Sequence, residues 1–520
     1  MAELLHPKSF RMKQLPILFS ILFGLQLQAQ EPVDALRYSL MGHGGTSRAR
    51  AIGGAMTSLG GDISAAFINP AGLGLYKSGE FTFTPSLAFN NTRINYLNTE
   101  TKANKITPDF SNIGMVLPRP GSWNGNWRNF TYGIGMNKTV NFGNSTRLKG
   151  TNTESSYSEK YLEELINNNI TDPNQAASKF PYGSSLAFNT YLIDTLAGAG
   201  NSIRGYRSLA TPQTGVNQQQ DITTKGSIND VYFAASGNYL DKLFVGGSLT
   251  FSKLKYERTS IFRESDATSN TKNNFNYFET EDYLISEGVG VGLKLGLIVK
   301  PIERLRIGLA FHSPVLYNMD DKYSSKITTD MEGYQGNGVL KQSSLDFNND
   351  ELGQFQYNFT NPMRLMAGIS YVLNEVADVN MQKGFISADI EYLDYTNAKF
   401  SGANTSDDGY LNRVNDAIKE QFRSALNMRL GGELKFKTIM TRLGFNYMGN
   451  AYANSLLKAR QMNISGGLGY RNMGFFVDLT YVQQLIKDAS FPYRLDNGFF
   501  EPGNVRASNG NIFLTVGFKF

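Results

Sequence analysis

The last ten residues, Asn511–Phe520 (NIFLTVGFKF), decide the architecture. Ile512, Leu514, Val516, Phe518 and Phe520 share one face of an extended chain, and Phe513, Thr515, Gly517 and Lys519 share the other. Side chains alternate across a strand, so this segment carries large apolar groups on one side and mostly small or polar groups on the other. That is the pattern of a strand with hydrocarbon outside and a polar bore inside. The same code recurs upstream. Val289, Val291, Leu293, Leu295 and Leu297 oppose Gly290, Gly292, Lys294 and Gly296. Leu305, Ile307, Leu309 and Phe311 oppose Arg306, Gly308, Ala310 and His312. Phe475, Val477, Leu479 and Tyr481 oppose Phe476, Asp478 and Thr480, and Ile386, Ala388, Ile390 and Tyr392 oppose Ser387, Asp389 and Glu391.

A soluble sandwich also alternates, but the connections argue against one. Strands read at 79–97, 109–118, 129–141, 222–240, 242–262, 275–299, 304–315, 354–373, 384–400, 425–437, 440–449, 461–470, 474–485 and 511–520. Turns after the even-numbered strands are tight, as at Leu240-Asp241-Lys242 and Pro301-Ile302-Glu303. After odd-numbered strands lie the long stretches 142–221, 316–353, 401–424 and 486–510. Short turns on one side and long external loops on the other mark a transmembrane barrel, and closure leaves no unpaired edge in lipid. The expected fold class is all-β: a 14-stranded antiparallel transmembrane β-barrel over 79–520, with short helices in its loops.

Composition excludes other classes. The 520 residues contain no cysteine, so there is no disulfide scaffold, thiolate metal site or thiol nucleophile. Fifty Lys+Arg against 45 Asp+Glu is too balanced for a nucleic-acid footprint. A mean hydropathy of −0.30 is too polar for a helical membrane bundle. At the start, Lys8, Arg11 and Lys13 precede the apolar run Leu15–Leu25, then Ala29. That order reads as a signal peptide over 1–29, which implies export.

Residues 30–78 do not alternate. Small residues dominate in MGHGG (Met41–Gly45), SRARA (Ser47–Ala51), GGAM (Gly53–Met56), GGD (Gly60–Asp62) and NPAGLGL (Asn69–Leu75). A segment so poor in bulky side chains cannot form its own core, and its place before the first strand suggests a plug folded into the lumen. Arg50-Ala51, Gly54-Ala55, Asp62 and Asn69-Pro70-Ala71 resemble the N-terminal hatch of the FadL/TodX family, outer-membrane transporters of long-chain fatty acids and other hydrophobic compounds. The resemblance implies a fourteen-stranded barrel corked by this segment. It places Arg50, Gly54, Asp62, Asn69, Pro70 and Ala71 at the hatch or gate, with Asn69–Ala71 against the wall.

Ligand contacts are read from the residues alone. Lys294 and Arg306 face inward on strands joined by a tight turn, so they are candidates for a carboxylate head group. Two helical patterns in 142–221, near 159–168 and 184–194, give Tyr161, Leu162, Leu165, Ile166, Leu186 and Phe188 apolar faces that could form an external capture groove or pack on each other. The expected partners are a hydrophobic ligand such as a long-chain fatty acid and outer-membrane lipid. The terminal Phe520 adds the barrel-assembly machinery, by family-level inference. No cofactor, metal or catalytic residue is expected, since only His43 and His312 follow the signal segment. Two alternatives stay open through the family: a shuttle component of a protein secretion system, and a haemin receptor with His43 as the iron ligand.

Overall fold

The structure is a computed structural model, and it describes residues 31–40, 42, 44–122, 125–198, 203–268, 270–373, 383–403, 408–454, 457, 460–496 and 500–520. Fourteen wall strands run antiparallel and close into a cylinder. They are β1 (Glu80–Tyr96), β2 (Thr99–Pro120), β3 (Trp127–Asn141, resuming at Asn144–Asn152), β4 (Val216–Tyr239), β5 (Leu243–Asp266) and β6 (Tyr277–Ile302). Next come β7 (Leu305–His312, resuming at Leu316–Asp330), β8 (Gly353–Thr360, resuming at Arg364–Leu373) and β9 (Gly384–Asp394, resuming at Lys399–Gly402). The last five are β10 (Ser424–Phe436), β11 (Ile439–Met448), β12 (Arg460–Asn472), β13 (Phe475–Ser490) and β14 (Gly503–Lys519). Each pairs with its sequence neighbour, and β14 returns to β1 in the register Phe81↔Phe518.

The two faces follow the alternation. Val291, Leu309 and Leu479 are 47%, 51% and 49% exposed, so the large apolar rows look outward and not into a dry core. Among the described residues, no helix is long and apolar enough to cross a membrane. Many inward positions are small or charged, while Tyr232, Phe244 and Phe385 pack on the plug. Arg442 is fully buried, with Nε 2.6 Å from Glu433 and Nη1 2.5 Å from Asp478. Burying such charges is tolerable because each cation sits on carboxylates within hydrogen-bond reach.

Strands run well beyond the apolar belt. The connection expected over 316–353 carries strand at Leu316–Asp330 and Leu340–Ser343. The one expected over 142–221 carries strand at Asn144–Asn152, and β13 extends to Ser490. β1 and β2 continue to a two-residue turn, Leu97-Asn98, in which both residues have positive φ. The ladder goes on above the belt because backbone pairing does not need hydrocarbon. There the outer face meets water, and the inner face packs only in part on the external cap, at Phe262, Phe278 and Ile327.

Helices fill the bore and cap it. α1 (Pro32–Ser39), α2 (Ser47–Ala51) and α3 (Ala65–Ile68) precede β1. In the β3–β4 connection lie α4 (Glu159–Asn167), α5 (Pro173–Lys179) and α6 (Ser184–Asn189), and α7 (Asp408–Gln421) lies between β9 and β10. The signal segment 1–29 and His43 fall outside the described residues.

Candidate functional site

The segment from Thr46 to Tyr76 is bonded to the inner face of the wall around much of its circumference. Ser47 donates from its N–H to Thr515 Oγ1 (2.7 Å) and from its hydroxyl to Thr480 Oγ1 (2.7 Å). Thr57 N–H donates to Asp389 Oδ2 (2.8 Å), and the Ala51 and Ala71 carbonyls accept from Ser465 and Ser236. Asn69 is the densest junction. Its buried Nδ2 lies 2.6 Å from Thr57 O, 3.3 Å from Leu297 O on β6 and 3.2 Å from Leu309 O on β7. Gly296 makes this approach possible, because a Cβ there would come within 1.9 Å of Asn69 Oδ1. Pro70 and Ala71 lie against Gly246 of β5 in the same way. Asp62 does not reach the wall. It accepts from Thr46 Oγ1 (2.8 Å) and Ser64 N (2.9 Å), and so ties the two ends of the segment together. Gly54 adopts φ +78° beside Arg429.

Lys294 and Arg306 do not converge. Lys294 is buried with Nζ 3.5 Å from Asp230 Oδ2. It pairs across the ladder with His312, six residues along β7 from Arg306, which puts the two cations roughly 20 Å apart. A different set of cations gathers higher in the bore. Glu31, at the N-cap of α1, is acted on by charged groups from several elements. Burial alone would raise its carboxyl, but Arg258 of β5, Lys160 of α4, Arg494 and Arg37 hold it below the usual carboxylate range. Beneath it lies an apolar cluster built on Tyr38 of α1, whose ring contacts Phe142, Tyr256 and Phe359 edge-on.

The external helices form no open groove. Tyr161, Leu165 and Leu186 are buried in one cluster with Phe262 of β5 and Phe278 of β6, and Leu162 and Phe188 pack against it. Ile166 alone of the six points away, at 61% exposed.

The wall has one long unpaired margin among the described residues. β2 pairs with β3 only from Asn112↔Asn137 to Pro120↔Asn129. Above that point β2 continues to pair with β1, while β3 follows β4 through a register shift at Lys138/Val140 and the break at Phe142-Gly143. Side chains bridge the resulting gap. Lys138 pairs with Asp109, Asn141 Nδ2 donates to Asp109 Oδ2 (2.6 Å), and Lys105 Nζ donates to Thr224 O (2.8 Å). On the inside, Ser111 Oγ donates to Gly45 O (2.7 Å), and a Cβ on Gly44 would lie 1.9 Å from Asn137 Oδ1. The glycines before α2 therefore lie directly behind the gap. Phe142 turns inward at the break and joins the Tyr38 cluster, so an apolar surface leads from the bore to the margin. The third strand read from the sequence ends at 141, but the alternation around them does not mark Asp109, Lys138 or Phe142. Asn-Phe-Gly at 141–143 was the available signal, since glycine after a short polar residue marks a break in a strand.

No family model matches the sequence, and no curated protein matches it. Solved structures do share its fold. A Pseudomonas aeruginosa FadL homologue aligns at TM-score 0.55 with 12% identity, covering 92% of this chain and 99% of that one. The Ralstonia pickettii toluene transporter TbuX aligns at 0.50 with 15% identity, covering 92% and 99%. A deltaS2 mutant of the TodX monoaromatic hydrocarbon channel aligns at 0.51 with 13% identity and the same coverage. At these identities the likeness concerns the fold, a closed antiparallel barrel.

Proposed function

We propose that this chain is an outer-membrane transporter of hydrophobic small molecules, with long-chain fatty acids as the substrate class. The ligand enters past the cations around Glu31, passes the apolar cluster at Tyr38 and leaves sideways between β2 and β3. One observation carries the reading: the wall loses its backbone ladder at the place where an apolar path from the bore meets it. The segment from Thr46 to Tyr76 occupies the lower bore, so a straight aqueous route is blocked while a lateral one is held only by side chains. The shared fold with barrels described as a FadL homologue and a toluene transporter supports the same class of cargo. Lateral release also suits the chemistry. A long apolar tail gains roughly 0.8 kcal/mol for each CH₂ kept out of water, so delivery into the membrane avoids an aqueous step.

The test uses the absence of native cysteine. Cysteines at Asp109 and Lys138, oxidised to a disulfide, should abolish uptake of radiolabelled oleate in cells lacking other such transporters, and reduction should restore it. Uptake that continues through the oxidised protein would exclude the gap as the exit.

A further inference from the structure

We propose that Arg50 and Lys138 form a carboxylate-binding subsite behind the gap between β2 and β3, and that the ligand's own carboxylate opens the gap by displacing Asp109 from Lys138. This rests on the transport reading above and specifies how its exit is controlled.

Arg50 ends α2 with its guanidinium carbon 4.9 Å from the Phe513 ring centroid, on the inner face of β14. Its Nε is buried and finds no hydrogen-bond partner. Among the described residues it makes no ion pair, and the charge that acts on it is Asp109. Burial draws its pKa down to about 10 while Asp109 works the other way. Asp109 itself is committed elsewhere: to Lys138, to Asn141 Nδ2 and to the Phe110 N–H (2.8 Å). Phe513 lies in one row with Ser86 of β1 and Asp109 of β2, so Arg50 approaches Asp109 from the β14 side while Lys138 holds it from β3. Lys105 adds a third positive charge held on main-chain carbonyls.

A cation removed from water and left without a counter-ion is costly, and an incoming anion relieves that cost. The complementary ligand is a monoanion whose charged end is small enough to reach Arg50 and whose remainder is apolar, since Phe513 and Phe110 flank the two cations. A carboxylate bound between Arg50 and Lys138 supplies Lys138 with a second partner. Asp109 then loses its ion pair across the gap, and the margin is held only by the Asn141–Asp109 and Lys105–Thr224 hydrogen bonds. A neutral amphiphile of equal length cannot make this exchange. The subsite therefore selects acids over alcohols or hydrocarbons at the exit.

Accumulation of oleate and of 1-hexadecanol is compared in cells carrying the full chain, Arg50→Met, Arg50→Lys or Lys138→Met, with folding checked by heat-modifiable gel mobility. Arg50→Met should lower oleate accumulation about tenfold, the size of one charge-assisted contact, and leave hexadecanol unchanged. Arg50→Lys should restore most of the oleate signal, and Lys138→Met should raise hexadecanol accumulation by loosening the latch. Equal loss of both lipids in Arg50→Met, or no loss, overturns the subsite. If the unaltered chain accumulates neither lipid, the transport reading fails. Equilibrium binding of the same two lipids to the purified barrels then decides the subsite alone, with oleate binding unaffected by Arg50→Met as the contrary result.

Discussion

A single buried amide can fix a plug when its donors meet carbonyls from separate strands. Asn69 does this between Thr57, Leu297 and Leu309, and Pro70 sets the chain direction after it without offering an N–H that would need a partner. The Asn-Pro-Ala motif was legible in the sequence because it is local. Arg48 was not, although its Nε lies 3.1 Å from Glu433, because nothing at 48 announces a residue 385 positions away. Glu164 shows the opposite economy, a buried acid whose two hydrogen bonds come from Ser184 and on which Lys160, a turn earlier on α4, acts only weakly. It accepts from the Ser184 N–H (2.8 Å) and hydroxyl inside the external cap, and burial pushes its carboxyl up to about 7 despite those bonds. The folded cap therefore holds a proton that the unfolded cap releases near the ordinary 4.5, so cap stability falls as pH rises through this window. The difference is worth about 3 kcal/mol between pH 4.5 and above 7. Hydrogen exchange across 156–209 should quicken from pH 5 to 8, after correction for intrinsic rates, and Glu164→Gln should remove most of that change. An equal pH response in the variant would place its origin in another group, such as Glu264 or Glu159.

Elements were legible where hydrocarbon forces a choice and illegible where it does not. β14, β6 and the first part of β7 read clearly because one face must be apolar and the other must admit the plug. The upper halves of β2, β3 and β7 carry polar residues on both faces, so alternation gives no sign that the ladder continues. The breaks in β7 and β8 fall at Ser313-Pro314 and Asn361-Pro362, where proline removes a donor. Side chains patch them: Ser313 Oγ accepts the Leu293 N–H (2.9 Å), and Asn361 Oδ1 accepts the Val315 N–H (2.7 Å). α7 applies the same device to a strand edge. Asn415 both accepts from the Phe400 N–H (2.8 Å) and donates to the Phe400 carbonyl (2.8 Å), so an amide stands where a neighbouring strand would. Leu411, Val414 and Ile418 on the same helix bury against the Tyr38 cluster. Asn415→Ala should leave that apolar face docked but expose two buried backbone groups, at a cost of about 1–3 kcal/mol. Exchange of the α7 amides should rise by about tenfold or more, while the β5–β6 ladder stays protected. Unchanged α7 protection would mean that the apolar face alone holds the helix.

At the scale of the whole molecule, the wall and its plug are held by different forces. The fourteen ladders run strand to strand and use no residue before Glu80, so closure does not depend on the plug. The plug is held by side-chain hydrogen bonds to the wall, by the Arg48–Glu433 pair and by the apolar packing of Ile52, Met56, Ile63 and Phe67. Removing it would expose inward rows that are largely polar or glycine-rich, with apolar spots at Val116, Tyr232, Val372 and Phe385 that the closed ladder can carry in water. Deleting residues 32–76 should therefore yield a barrel that still migrates as a heat-modifiable folded species. The facing charges, Glu433 against Arg442 and Arg442 against Asp478, lie within the wall itself and remain paired without the plug. What changes is the bore. With α1 to α3 gone, the lower lumen becomes a water-filled channel, and the external cap over α4 to α6 is left as the remaining constriction. Planar-bilayer recordings should show discrete current steps for the deletion and a silent trace for the full chain. Folded deletion barrels that pass no current would assign the seal to the external cap, and lateral release could then no longer be argued from a blocked lower bore.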